Sequence, residues 1–100
     1  MNKKCFLIEI TYRVPADQLG DIVEEHRAFL RSGYEQGILL LSGPQQPRIG
    51  GIAIGHADSF DAIQAFFFND PYNKNGMASY RFVEFNPILH QPFLSSWLEN

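Results

Sequence analysis

One histidine of this sequence stands among apolar residues, where an ionisable side chain needs a reason. His26 lies three residues after Val23 and four before Leu30, so on a helix it joins their apolar stripe. The other members of the stripe are Leu19, Ile22 and Phe29. A buried imidazole beside a carboxylate can move protons near neutral pH. A structural histidine with hydrogen-bonded ring nitrogens is the alternative, and the pattern leaves both interpretations open.

The carboxylates available to such a histidine are Glu9, Glu35, Asp70 and Glu84. Asp70 precedes Pro71, and a residue before proline avoids the helical conformation, so Asp70 marks the corner where a second helix ends. If two helices lie antiparallel on one face of a sheet, that corner approaches the middle of the first helix. We therefore expect Asp70 to approach His26, on grounds of topology rather than spacing. An aspartate that only hydrogen-bonds the loop backbone is the competing interpretation.

Two further segments carry groups that suit an anionic ligand. In Ser42-Gly43-Pro44, the serine hydroxyl and the Gly43 amide can hold an anion, although Gly-Pro also simply turns a chain. Ser42 lacks the strand-turn-helix elbow that exposes a nucleophilic serine. Arg48 can pair with a carboxylate of a small substrate, whereas a loop arginine is ordinarily solvated. His56 and His90, at predicted strand ends, are expected to be ordinary surface residues.

The composition excludes several classes of protein. A net charge of -3 with eight Lys and Arg residues argues against nucleic-acid binding, which needs a basic surface. No apolar run is long enough to span a membrane, and no cofactor or metal motif is present. The single Cys5 cannot form an internal disulfide, and no signal peptide is evident, so we expect a cytoplasmic protein. Nine Phe residues are more than a small core usually needs, which indicates a second buried surface.

The elements that position these residues follow from hydrophobic periodicity. Alternation predicts strands, three- and four-residue spacing predicts helices, and Gly or Pro marks their ends. The predicted strands are 4–12, 38–41, 51–56 and 79–85. The predicted helices are 15–37 and 60–69, with a last helical turn within 92–100.

The order β-α-β-β-α-β predicts an α+β, ferredoxin-like fold, in which a four-stranded antiparallel sheet carries two helices on one face. The strands have apolar residues on both sides, so the second face of the sheet should also be covered. A second copy packed sheet to sheet, giving a dimeric α+β barrel, is the preferred cover. The aromatic C-terminal tail folding across that face is the alternative.

Short motifs in a fairly specific order make this chain resemble the YciI-like (YCII-related) proteins. The resemblance covers about residues 5–88 and leaves 89–100 as an extension of one domain, 1–100, whose core is 4–88. The motifs are His26-Arg27-Ala28-Phe29-Leu30, Gly37, Leu41-Ser42-Gly43-Pro44, Pro47-Arg48 before Gly50-Gly51, Asn69-Asp70-Pro71-Tyr72, Tyr80-Arg81 and Glu84-Phe85.

The resemblance implies a subunit of a dimeric α+β barrel, related to muconolactone isomerases and small haem-independent monooxygenases. It also implies an active site built on His26 and Asp70, with Ser42, Gly43 and Pro44 in the same cavity. We add Arg48 and Tyr72 as candidate substrate-binding residues. Many members of the family carry an Asp just before the glycine that ends helix one, whereas the nearest acid here is Glu35. The resemblance therefore assigns no role to Glu35.

These observations predict a small enzyme that performs acid–base chemistry on a compact, anionic organic molecule. Isomerisation, elimination and hydrolysis each need one well-placed proton transfer, and none of them requires a cofactor. A cofactor-free monooxygenase is a weaker variant. The alternative classes are a non-catalytic ligand-binding or accessory module and a purely structural dimer. The expected partners are a second copy of the chain, with possible higher homo-oligomers, and a small-molecule ligand.

Overall fold

A computed structural model describes residues 3–99 of the chain. Its four strands are β1 (Lys4–Tyr12), β2 (Leu39–Pro44), β3 (Gly50–Ala57) and β4 (Ala78–Phe85). They form one antiparallel sheet in the order β2-β3-β1-β4. The edge strands β2 and β4 therefore flank the central pair, β1 and β3. This is the predicted ferredoxin-like α+β arrangement.

The helices are α1 (Ile22–Glu35), α2 (Phe60–Phe68), the short α3 (Pro71–Lys74) and the C-terminal α4 (Ser95–Glu99). Residues of β1 that point towards α1 and α2, such as Phe6, Ile8 and Ile10, are almost fully buried. Alternation along the strand places every second side chain on this face. The hydrophobic core thus lies between the sheet and the helices.

The first helix begins later than predicted. Ala16–Gln18 forms a single 3-10 turn, Gly20 then adopts a positive φ of 59°, and α1 starts at Ile22. A left-handed residue interrupts the helical hydrogen-bond pattern, and glycine adopts that conformation without steric cost. Leu19 is nevertheless buried in the core, because the turn delivers it there. The predicted helix end at Gly37 is confirmed by its φ of 75°.

Strand β2 and the tail also show features that the prediction did not include. Strand β2 continues to Pro44, so Ser42 and Gly43 lie on a strand, paired with Ala53 and Ile52 of β3. Its register shifts between Leu39 and Leu41, which a regular alternation does not foresee. The tail forms a 3-10 turn at Pro92–Leu94 followed by α4. Asn100, the last residue of the predicted tail, lies outside the described residues, as do Met1 and Asn2.

His56 corrects a prediction, since it is buried rather than exposed. Only 2% of the residue is accessible, its ring stacks on Trp97 of α4 with centroids 3.7 Å apart, and Nε2 hydrogen-bonds the Gly37 carbonyl at 2.7 Å. Burial lowers the pKa of His56 below its ordinary value. The cause of the error is tertiary, because two segments distant in sequence close over a strand end that looks polar locally. His90 is exposed.

The second face of the sheet is mostly open in the single chain. Leu7 lies opposite both Ile54 and Val83 on the neighbouring strands. Leu41 lies opposite Ile54 on its other side and is 58% exposed. Directly opposed residues share a face, so these side chains form one apolar patch. The tail reaches the end of the sheet at which Trp97 meets His56. We call this patch of Leu7, Leu41, Ile54 and Val83 the open face.

Candidate active site

His26 faces inward from α1, and its partner comes from the far side of the chain. Its Nδ1 lies 2.7 Å from Oδ1 of Asp70, which is separated from it by 44 positions. The solvent-accessible fraction is 9% for His26 and 0% for Asp70. The structure therefore brings together the two residues proposed as a catalytic pair. Their chemical role stays a proposal.

The local sequence explains why Asp70 is held in place. It is the N-cap of α3, with an extended backbone, and its carboxylate accepts a hydrogen bond from the Tyr72 amide at 3.0 Å. Pro71 occupies the first helical turn, where a missing N–H costs nothing. Asp70 is therefore a corner residue that bonds the loop backbone, as the competing interpretation expected. The same carboxylate oxygen also bonds the imidazole of His26.

A third donor to Asp70 was not singled out from the sequence. The hydroxyl of Tyr80, on β4, donates to Oδ2 at 2.6 Å. Burial, with further contributions from Asp70, raises the pKa of Tyr80 far above its ordinary value, so the phenol stays protonated and donates. In the sequence, Tyr80 stood out only as part of the Tyr80-Arg81 motif and as an aromatic residue of a predicted strand, which most often indicates core packing.

The hydrogen bonds define which nitrogen of His26 is available. An ionised carboxylate only accepts hydrogen bonds, so Nδ1 carries a proton and donates the hydrogen bond that Asp70 Oδ1 accepts. The lone pair of Nε2 is then free. His26 lines a cavity of about 210 Å³, and Tyr72 stacks on its ring with centroids 3.9 Å apart. The arrangement is that of a base oriented by a carboxylate.

The cavity gathers the residues proposed for substrate binding. Ser42, Gly43, Pro44, Arg48 and Tyr72 all line it together with His26, whereas Asp70 lies behind the imidazole. The remaining walls come from both the sheet and α1. They are Ile10, Tyr12, Val23, Arg27, Leu30, Gly51, Ile52 and Ala53. The chamber is thus largely apolar with a few polar groups, which is typical of a small-molecule site.

The polar groups cluster around Arg48. The neighbouring Tyr12 hydroxyl raises the pKa of Arg48 above its ordinary value, and the guanidinium is exposed enough to meet a ligand. Burial and the nearby Tyr12 raise the pKa of Tyr72 to about 12. Two phenol groups and the Arg48 guanidinium therefore line the same cavity. Tyr12 was not among the predicted site residues, because a tyrosine at a strand end gives no distinctive signal.

Ser42 is already engaged. Its Oγ lies 2.6 Å from the hydroxyl of Tyr34, and no base that would activate it is recorded among its hydrogen bonds within residues 3–99. That Ser42 does not act as a nucleophile stays a prediction. It contributes a polar edge to the cavity.

The other candidate carboxylates lie elsewhere. Glu9 lies 3.9 Å from Arg81, its opposite residue on the open-face side of the sheet. Glu84 lies 3.9 Å from Lys4, and Glu35 is exposed at the end of α1. None of these three lines the cavity. The dyad therefore draws its acid from Asp70 alone among the four.

Solved structures share this fold at low sequence identity. One is 5-chloro-2-hydroxyhydroquinone dehydrochlorinase (TftG) of Burkholderia phenoliruptrix in complex with 2,5-dihydroxybenzoquinone. It is 22% identical, with a TM-score of 0.70 over 82% of this chain and 93% of that one. Two structures of SnoaB, a cofactor-independent oxygenase of Streptomyces nogalater, have TM-scores of 0.53 and 0.51. They are 12% identical and cover 92% of this chain and 99% of theirs.

The sequence comparisons give the family directly. No curated protein sequence matches the chain significantly. Within residues 3–99, no helix is long and apolar enough to cross a membrane. The model of the YCII-related domain matches residues 5–86, a span that contains the dyad and every proposed ligand-binding residue. The chain therefore belongs to the YCII-related domain family.

Proposed function

We propose that this protein is a small enzyme in which His26 acts as general base and acid and Asp70 orients and charge-stabilises it. The observation that carries the proposal is the buried 2.7 Å contact between His26 Nδ1 and Asp70 Oδ1. It leaves Nε2 as the free nitrogen of a ring that lines a ligand-sized cavity. A base held by a third group is the usual geometry for enzymatic proton transfer.

The chemistry proposed is a single proton transfer at a small organic anion. Nε2 removes a proton from a substrate carbon, and the imidazolium that forms is stabilised by the Asp70 carboxylate. In an isomerisation the proton returns to another atom, whereas in an elimination the electron pair expels a leaving group. In a hydrolysis the proton comes from water. Of these three reactions we favour elimination, because the dehydrochlorinase has the same fold.

The anion would be held by polar groups that line the same cavity as His26. Arg48 supplies a charged donor, and the phenol groups of Tyr12 and Tyr72 can donate to the same oxygen. The wall formed by Ser42, Gly43 and Pro44 would limit the length of the substrate. These residues are proposed to bind substrate, not to react with it.

We also propose that the protein is a homodimer, joined through the open face, and that it works in the cytoplasm. An apolar patch rimmed by Glu9 and Arg81 resembles the core and rim of a protein interface. Sheet-to-sheet packing would give the dimeric α+β barrel expected from the sequence. The free, buried Cys5 suits a reducing compartment.

The test uses 2,5-dihydroxybenzoquinone, the compound seen with the dehydrochlorinase, as a binding probe in calorimetry. Chloride release from 5-chloro-2-hydroxyhydroquinone measures turnover. His26→Gln should keep the fold and lower turnover by about 10²- to 10⁴-fold. Binding that persists in wild type and His26→Gln, with no turnover in either, would favour the non-catalytic ligand-binding module. Unfolding of His26→Gln would favour a structural histidine.

A further inference from the structure

The cavity beside His26 carries positive charge in a chain whose net charge is -3. Two arginines line it, Arg27 from α1 and Arg48 from the loop that joins β2 and β3, whereas no aspartate or glutamate among residues 3–99 lines it. The nearby Asp70 lies behind the imidazole and is bonded to it. Because a guanidinium stays charged at every physiological pH, the cavity offers two permanent cations to a ligand.

The two cations stand at the mouth of the cavity, and apolar groups form its floor. Both arginines are exposed, with 54% of the Arg27 side chain accessible, whereas Ile10 and Ala53 are almost fully buried. A charged group held at the mouth keeps part of its hydration, so binding there avoids most of the cost of burying an ion. The arrangement suits a molecule whose apolar part meets the floor and whose charged groups stay near the rim.

Arg27 has hydrogen-bond donors to spare for such a group. Its recorded partner within the described residues is Glu24, three residues earlier on α1, with Nη1 3.2 Å from Oε1. A guanidinium has five N–H donors, so this bond leaves most of them available. Both side chains of the pair are more than half exposed. An exposed ion pair is weak, so a ligand can compete with Glu24 for Arg27.

We infer that Arg27 is a specificity-determining residue and that the substrate is a small molecule with two anionic groups, one bound by Arg48 and the other by Arg27. This inference rests on the proposed function and names the class of its substrate. A ligand with one anionic group would leave one of the two guanidinium groups without a counter-charge, whereas a ligand with two would neutralise both. Glu24 competes with the second anionic group.

The test compares two probes by calorimetry at neutral pH and low ionic strength. 2,5-Dihydroxybenzoquinone carries two acidic hydroxyl groups on opposite sides of its ring, and 2-hydroxy-1,4-benzoquinone carries one. Wild type should bind the first compound more tightly. Arg27→Gln should weaken that binding by about 3- to 10-fold, and should change the affinity for the second compound by less than about twofold. Glu24→Gln should strengthen binding of the first compound by about twofold, because it removes the competing carboxylate.

Arg31→Gln is the matched control, because it removes the same charge from an exposed position of α1 that does not line the cavity. Its affinity for both probes should equal that of wild type. Equal losses in Arg27→Gln and Arg31→Gln, equal losses for both probes, or a wild type without preference for the first probe would overturn the inference. Absent turnover with the expected preference is a failure of the proposed function alone. Turnover without that preference is a failure of this inference alone.

Discussion

The imidazole of His26 and the phenol ring of Tyr72 lie almost parallel, with 3.9 Å between centroids and 12° between planes. The backbone amide of Tyr72 also bonds Asp70, so the short helix α3 supplies both the acid and the flat surface against which the base rests. Two of the three constraints on the imidazole thus come from one Asp-Pro-Tyr corner. The third is its own helix, α1.

The first prediction concerns Tyr72 at alkaline pH. Its pKa is raised to about 12 from 10.0, so between these values the unfolded chain has lost a proton that the folded protein keeps. Stability should therefore be full below about pH 10 and fall as the pH rises towards 12. Urea unfolding of wild type and Tyr72→Phe across this range should show a shallower fall in the variant. Equal slopes would contradict the prediction, and Tyr34→Phe serves as control.

The second prediction concerns ligand affinity. Arg48→Gln should weaken binding of 2,5-dihydroxybenzoquinone by about 10- to 100-fold, since a charge-assisted hydrogen bond contributes about 1.5–3 kcal/mol. Because Arg48 is exposed, the free energy of unfolding should not change. Arg31→Gln, on the outer side of α1, should bind like wild type in the same calorimetric titration. Equal affinities of the two variants would show that Arg48 does not bind the ligand.

The third prediction concerns assembly. Light scattering should give wild type a mass of twice the 11.4 kDa chain. Leu41→Glu should give monomers, because a buried uncompensated charge costs about 3–5 kcal/mol and two-fold symmetry introduces it twice. Phe68→Glu, a similarly exposed apolar residue on α2, should remain dimeric. A wild-type mass of 11.4 kDa would refute the proposed dimer.

The fourth prediction concerns acidification. Burial lowers the pKa of His56 from its ordinary value of 6.5. As the pH falls below about 6.5, the unfolded chain therefore binds a proton at this histidine before the folded protein does. Stability contributed by the neutral imidazole is present above that pH and is lost as the pH falls through the folded pKa. His56→Gln should flatten this part of the unfolding profile, and exposed His90→Gln should not. Identical profiles for all three proteins would show that His56 is not responsible.

Much of this architecture can be derived from the sequence because it depends on local geometry. Two-residue and 3.6-residue periods decide which way side chains point, so the alternation in β1 and the stripe around His26 identify the inward faces. Asp70 before Pro71 marks a corner for an equally local reason. Once the order of elements implied antiparallel helices on one face, that corner was expected near His26.

Tertiary structure alone decided the contacts between side chains from different elements. Tyr80 reaches Asp70 from β4, and Trp97 covers His56 from the tail, but neither pair has a spacing that indicates a partner. Gly20 ends one turn and delays α1, although the apolar spacing continues through it. Periodicity determines the face of an element, whereas a hydrogen bond needs distances within a few tenths of an ångström. Those distances are set by the packing of the whole core.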